Sequence, residues 1–278
     1  MQEFRNKVAV VTGAASGIGR GIAERCAQEG MNVVLADIEE PALQEATESM
    51  RRSGATVLPV RTDVSKAGDV EELARKTLDA FGAVHLLFNN AGVGAGGSVW
   101  ESTLADWQWV MGVNLWGVIH GIRTFVPIML AQDTECHIVN TASIAGLIYA
   151  PQLSSAYLVT KHAVVALSEH LQCTLAERRA KIDISVMCPG WVNTAIMDSE
   201  RNRPHELQNE PASPNPGDDA IEREIRAALQ SGMSPHVVAD FVFKAIRSGR
   251  FYILTHPEAN ALVQQRMEGI LGSGTLAC

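Results

Sequence analysis

The sequence predicts a single α/β domain on one doubly wound parallel sheet of about seven strands, with helices on both faces. Three observations carry this. Short β-branched runs alternate with helical stretches from the start of the chain. The runs are apolar throughout, which is the pattern of strands covered on both faces. A glycine-rich turn, Thr12 through Gly19, joins the first run to the first helix.

Each element follows in order. Val8 to Val11 is a strand closing on Thr12 and Gly13, and Ile18 to Glu29 is helical until Gly30 stops it. Val33 to Ala36 is the second strand, ending in Asp37. Pro41 to Arg52 is a helix with proline in its first turn, where the missing N–H costs nothing. Val57 to Val60 is a strand leading to Asp63, Val70 to Phe81 a helix, and His85 to Phe88 a strand before Asn89 and Asn90. Trp107 to Leu130 reads as a long helix interrupted near Pro127. His137 to Asn140 is a strand ending near Ser143, Ala156 to Arg178 a helix, and Ile182 to Met187 a strand ending at Cys188, Pro189 and Gly190. A helix from Pro235 to Arg247 and a strand from Phe251 to Leu254 complete the domain.

The whole chain, 1–278, is thus one domain. Residues 191–233 form a substrate-loop insertion within it and 256–278 a C-terminal tail. Arg201 to Gly217, with four prolines among polar residues, reads as a mobile lid.

Composition narrows the function. Apolar residues make up 46% and charged residues 19%, a globular balance. A net charge of −8 and the lack of any Lys/Arg cluster argue against a nucleic-acid partner. The five cysteines form no C-x-x-C pair, so neither a zinc site nor a disulfide framework is expected. The histidines show no metal-ligand spacing. With no signal-peptide pattern and no apolar run of membrane length, the expectation is a soluble cytoplasmic protein with no membrane partner.

The turn of Gly13, Ser16, Gly17, Ile18 and Gly19 is spaced G-x-x-x-G-x-G between a strand and a helix. There glycines let the backbone approach a pyrophosphate, and the exposed N–H groups and positive helix end hold it. This is a Rossmann-type nucleotide site. Asp37, at the end of the second strand, can accept hydrogen bonds from both hydroxyls of an adenosine ribose. It would repel a 2′-phosphate of about −1.5 to −2 charges. Ile38, Glu39 and Glu40 follow, with no cation beside them, so the sequence favours NAD over NADP.

Tyr157 and Lys161 stand four apart on a predicted helix and share a face. Ser143 lies just past a strand end, where an open parallel sheet binds ligands. Hydride transfer from an alcohol also needs the hydroxyl proton removed. A tyrosine near its ordinary pKa of about 10 is a poor base at neutral pH. The Lys161 ammonium would favour the phenolate, and Ser143 could hold the substrate oxygen. A Y-x-x-x-K pair alone is common by chance.

Taken together these residues resemble the short-chain dehydrogenase/reductase family over residues 6 to about 255. The likeness rests on Thr12 through Gly19, Asp63-Val64, Asn89-Asn90-Ala91-Gly92, Asn114, Ser143, Tyr157 with Lys161, and Pro189-Gly190 with Val192 and Thr194. It implies Asp63 and Val64 against the adenine, and Asn90, Ala91 and Gly92 supporting the cofactor ribose and the central sheet. One of Asn89 and Asn90 could serve only as a structural cap. Asn114 would be a fourth catalytic member, relaying protons through a water and Lys161. Pro189, Gly190, Val192 and Thr194 would meet the nicotinamide end. The chain departs from the family in having Val159-Thr160 before the lysine, where Ala-Ser is frequent. The resemblance also implies a homodimer or homotetramer built on the two long helices.

Substrate-facing loops would contribute Trp100, Ile144, Leu147, Ile148, Tyr149, Leu153, Trp191, Ile196 and Met197, with Ser143, Tyr149 and Trp191 as substrate residues. Trp191 either fills the pocket or packs under the lid. Apolar walls suit a hydrophobic secondary alcohol or ketone. The alternatives are an NADP-dependent carbonyl reductase, an epimerase or dehydratase with a larger C-terminal domain, and a nucleotide-binding regulator without turnover.

Overall fold

In the computed structural model, residues 1–210 and 218–272 are described. Seven strands form one sheet: β1 (Val8–Thr12), β2 (Asn32–Asp37), β3 (Val57–Arg61), β4 (Leu86–Asn89), β5 (Cys136–Thr141), β6 (Ile182–Cys188) and β7 (Tyr252–Leu254). Their order is β3-β2-β1-β4-β5-β6-β7, and every neighbouring pair runs parallel. The helices are α1 (Gly17–Gln28), α2 (Glu40–Arg52), α3 (Ala67–Phe81), α4 (Leu104–Met111), α5 (Gly117–Gln132), α6 (Ser155–Glu177), α7 (Asp218–Gln230), α8 (Pro235–Ser248) and α9 (Asn260–Leu271).

The period of two along β1 shows why both faces are covered. Ala9 and Val11 point into a core with Ile22 of α1, Leu43 of α2 and Phe243 of α8. Val8 and Val10 point the other way, into a core with Leu73 of α3, Phe125 and Met129 of α5 and Leu175 of α6. The strand order reverses between β1 and β4, so their carboxyl ends open a crevice there.

The long helix differs from its sequence pattern. It starts at Leu104, capped by a reciprocal Thr103–Asp106 pair, and continues through Pro127 to Gln132. Its irregularity is a π turn over Gly112–Trp116 instead. Within that turn the Asn114 side-chain amide bonds the Val93 backbone. Within Leu104–Gln132, 18 consecutive residues reach a mean hydropathy of 1.3, enough to cross a membrane by length and composition. Here its Val118, Phe125 and Met129 are buried against the sheet.

The 191–233 insertion is tied at its base, where Met233 N–H donates to Trp191 O and Asn193 N–H to Met233 O, both at 2.9 Å. Between these points the chain makes 3-10 turns at Ile196–Asn202 and His205–Leu207, and then α7. Within the Arg201–Gly217 stretch, residues up to 210 thus carry 3-10 turns. Arg203 and Asp106, both nearly closed to solvent, form an ion pair at 2.8 Å that orders this part. Residues 211–217 lie outside the described residues. The 256–278 stretch is not a plain tail either, since it carries α9. Helix α9 buries no residue, so its sequence shows no apolar face clear enough to find it.

Candidate active site

The glycine turn is built by close approach. Gly13 adopts φ +67°, and a Cβ there would stand 2.9 Å from Ala91 Cα. Gly17, at φ +53°, would meet the Thr194 methyl at 3.0 Å. Gly19 serves packing rather than ligand contact: its Cβ would lie 2.0 Å from Gly13 O, and Gly19 is absent from the cavity wall. Thr12 fastens the turn to the next strand, its hydroxyl accepting from the N–H groups of Asn90 and Ala91 at 2.9 and 3.1 Å. Helix α1 begins with no side-chain cap and no acidic residue in its first turn. Its N–H groups and positive end therefore remain for an anion, and the cradle fits a pyrophosphate.

The Asp37 carboxylate accepts from Ala15 N at 2.9 Å and Glu39 N at 3.0 Å, which aims it into the crevice. Burial pushes its carboxyl pKa up, and the two N–H bonds work against that rise. Asp63 is buried and accepts from the N–H and hydroxyl of Ser65.

One cavity of about 600 Å³ joins this crevice to the loops beyond it. Its wall includes Gly13, Ser16, Gly17, Ile18 and Asp37; Asp63, Val64, Asn90, Ala91 and Gly92; and Pro189, Gly190, Val192 and Thr194. Ser143, Tyr157 and Lys161 line the same cavity. Ser143 comes from the turn after β5, while Tyr157 and Lys161 come from the first turns of α6. That helix is capped by Ser154, whose hydroxyl accepts from Tyr157 N–H at 3.3 Å.

Lys161 is 3% exposed and donates to Thr141 O at 3.0 Å. Its Nζ lies 5.4 Å from the centre of the Tyr157 ring. Burial lowers the Lys161 pKa to about 8. Burial also raises the Tyr157 phenol above its ordinary value, with the Ser143 hydroxyl opposing. Without a bound nucleotide, loss of solvent disfavours the charged forms of both residues.

Asn114 does not line the cavity. It is buried, accepting from Val93 N at 2.8 Å and donating to Val93 O at 2.9 Å and Thr160 Oγ1 at 3.3 Å. A Cβ on Gly92 would lie 3.5 Å from its Oδ1 and 3.6 Å from Lys161 Nζ, so Asn114 backs the wall behind Lys161.

Of the anticipated substrate residues, Ile144, Ile148, Leu153, Trp191, Ile196 and Met197 line the cavity, which places Trp191 in the pocket. Tyr149, Trp100 and Leu147 do not. Tyr149 is 43% and Trp100 81% exposed, both turned to solvent, and Leu147 packs against the Val164–Val186 core. Apolar neighbours missed by the sequence reading, Trp109, Ile225, Leu229 and Leu262, complete the wall. His256 was also missed. Its Nδ1 accepts from Gly190 N–H at 3.0 Å and its Nε2 meets Trp191 O at 3.0 Å, clamping the turn after β6. Among the described residues no group of three or more His, Cys, Asp or Glu is placed to hold a metal.

Comparison with known proteins agrees with this geometry. The family model described as short chain dehydrogenase matches residues 7–205. The "CLA biosynthesis dehydrogenase/reductase" of Lactiplantibacillus plantarum is 38% identical over 99% of this chain and 96% of its own. The "1-deoxy-11-beta-hydroxypentalenate dehydrogenase" of Streptomyces exfoliatus is 31% identical over 96% of this chain and 89% of its own. A solved short chain dehydrogenase/reductase from Burkholderia phymatum, in complex with NAD, superposes with a TM-score of 0.94. It is 51% identical, covering 97% of this chain and 96% of that one.

Proposed function

The chain belongs to the short-chain dehydrogenase family of oxidoreductases, and on that premise we propose that it moves a hydride between NAD and a hydrophobic secondary alcohol or ketone. The observation that carries this reading is the single cavity in which the glycine turn, Asp37, Tyr157 and an apolar far wall meet. The NAD bound by the solved relative supports the cofactor, and Asp37 supports the unphosphorylated form.

When bound, the cofactor supplies or accepts the hydride. The chain's own residues do the rest. The first turn of α1 would hold the phosphates, and Asp37 would accept from the ribose hydroxyls. Ser143 donates a hydrogen bond to the substrate oxygen. Tyr157 Oη takes the hydroxyl proton in oxidation or gives one to the carbonyl in reduction. Lys161, fixed by Thr141, keeps positive charge beside the phenol, and Asn114 supports the wall behind it.

The apolar lining of Trp109, Ile148, Leu153, Trp191, Ile225 and Leu229 supports a hydrophobic substrate. Following NADH formation across apolar secondary alcohols, small hydroxy acids and sugars tests the reading. Turnover led by apolar alcohols is expected. Preference for acids or sugars would refute the substrate class, and stronger use of NADP would refute the cofactor. A homodimer or homotetramer is proposed as well, on the outer faces of α5 and α6, where the neighbouring Trp116 and Val159 are exposed. A monomer mass in light scattering would end that proposal.

A further inference from the structure

The end of the cavity that takes the adenosine ribose is not lined by carboxylates alone. Arg201, from the substrate insertion, forms part of its wall together with Asp37 and Ile38. In the sequence it lies 162 positions from Glu39, yet its Nε donates to Glu39 Oε2 at 3.0 Å. Asn202 Nδ2 donates to the same oxygen at 3.3 Å. The guanidinium is fixed from its other side, where Nη1 donates to Asp198 O at 2.8 Å and Ala195 O at 3.3 Å. A guanidinium held at three points therefore stands in the wall of the same cavity as Asp37, in the chemistry that binds a phosphate. Its charge is answered by Glu39.

We infer that Glu39 is a second determinant of cofactor choice, acting by holding Arg201, so that the insertion's cation is denied to a 2′-phosphate. The inference rests on the dinucleotide reading of the cavity and deepens it. Asp37 disfavours the phosphate by direct repulsion. Glu39 works one step back, by occupying the group that could receive it. Cofactor choice is thus written partly in the substrate insertion, far in sequence from the glycine turn. Of the other arginines near Asp37, Arg20 is bound bidentately by Glu45 and also pairs with Glu24, while Arg61 is the β3 strand partner of Asp37.

The Glu39 side chain makes no cap bond to α2, so replacing it leaves the helix start intact. The test measures dissociation constants of NADH and NADPH by fluorescence for the wild type, Glu39→Gln, Glu39→Ala, Arg201→Gln and the Glu39→Ala/Arg201→Gln double variant. No turnover is required. In both Glu39 variants NADPH should tighten about tenfold, the yield of one partly exposed charge-assisted contact. NADH should change less than about threefold, and the NADPH gain should vanish in the double variant. An equal gain with and without Arg201 would show Glu39 acting only by its own charge and overturn the inference. No gain in either variant would overturn it too. Wild-type protein that binds neither nucleotide would instead sink the dinucleotide reading itself, which separates the two failures.

Discussion

Lys161 and Tyr157 stand one helical turn apart on α6, with the Lys161 Nζ 5.4 Å from the centre of the phenol ring and anchored on Thr141 O at 3.0 Å. The ammonium is therefore held beside the ring by β5, not only by the helix both residues share. Burial lowers the lysine to about 8 and raises the tyrosine, so at neutral pH the phenol keeps its proton. That is the form which donates to a carbonyl. Oxidation needs the opposite form, and its rate should climb as pH rises from 7.

Replacing Tyr157 with Phe removes the one hydroxyl that can exchange a proton with the substrate oxygen. Turnover should fall on the order of a thousandfold, the usual yield of a positioned acid/base. NADH affinity should stay within about twofold of wild type. Steady-state rates and a fluorescence titration check this; retained turnover would remove Tyr157 from the chemistry.

Lys161→Met should stabilise the protein at pH 7. The folded lysine titrates near 8 and the unfolded one near 10.5. Below 8 both states hold the proton, and the cost of a buried ammonium stands in full, about 3 kcal/mol at about 1.4 kcal/mol per unit. Between about 8 and 10.5 the unfolded chain binds more protons, so wild-type stability rises with pH. Orphaning Thr141 O takes back about 1 kcal/mol. The variant's advantage in urea unfolding should thus be about 2 kcal/mol at pH 7 and shrink towards pH 10. A constant difference would count against this.

Much of this was legible because parallel strands and tight turns leave strong local marks. The β1, β2 and β4 runs are apolar on both faces, and Gly13 and Gly17 sit at positive φ where other residues are strained. What escaped depends on distant partners. The π turn at Gly112–Trp116 holds Asn114, whose side chain bonds the distant Val93, and no local pattern announces it. Helix α7 carried a weak mark, Ile225 and Leu229 four apart among charges, which the proline-rich stretch before it concealed. Tyr149 and Ile148 are adjacent, yet only Ile148 faces the cavity, a choice made by the loop's path and not its composition.

Gly19→Ala should damage the cradle without touching any ligand. The added methyl would lie 2.0 Å from Gly13 O and 2.6 Å from Asn90 Nδ2, so the turn must move. Overpacking of this kind costs about 1–3 kcal/mol. NADH affinity should fall at least tenfold together with the melting temperature. Wild-type affinity would show that the turn tolerates the shift.

Arg203→Met should loosen the substrate insertion. Arg203 pairs with Asp106 at 2.8 Å, both side chains almost wholly buried, and its guanidinium lies 5.1 Å over the Trp109 ring that lines the cavity. Leaving Asp106 without its cation should cost about 3–5 kcal/mol in urea unfolding. KM for apolar alcohols should rise more than kcat falls, since Trp109 loses its cover. Adding Asp106→Asn should restore part of the stability, because the stranded charge is then gone. A double variant no more stable than Arg203→Met would refute the pairing as the cause.

His137 should set part of the acid limit of the fold. It is buried on β5, its Nε2 meets Ser185 Oγ at 2.8 Å, and its Nδ1 has no hydrogen-bond partner among the described residues. Ser185 donates its proton to Arg250 O, so Nε2 carries the imidazole hydrogen and Nδ1 the bare lone pair. Burial, with the N-terminal charge adding to it, lowers this histidine from 6.5 to about 3. In that window the unfolded chain takes up a proton that the folded one refuses. Stability is therefore full above pH 6.5 and falls as pH drops towards 3, by up to about 5 kcal/mol from this residue. His137→Gln keeps a donor for Ser185 and cannot titrate. Its melting temperature should decline less than that of the wild type between pH 6.5 and 4 in calorimetry, whatever its value at pH 7. Parallel declines would mean that His137 carries no share of the acid sensitivity and that carboxylate pairs such as Arg203–Asp106 account for it.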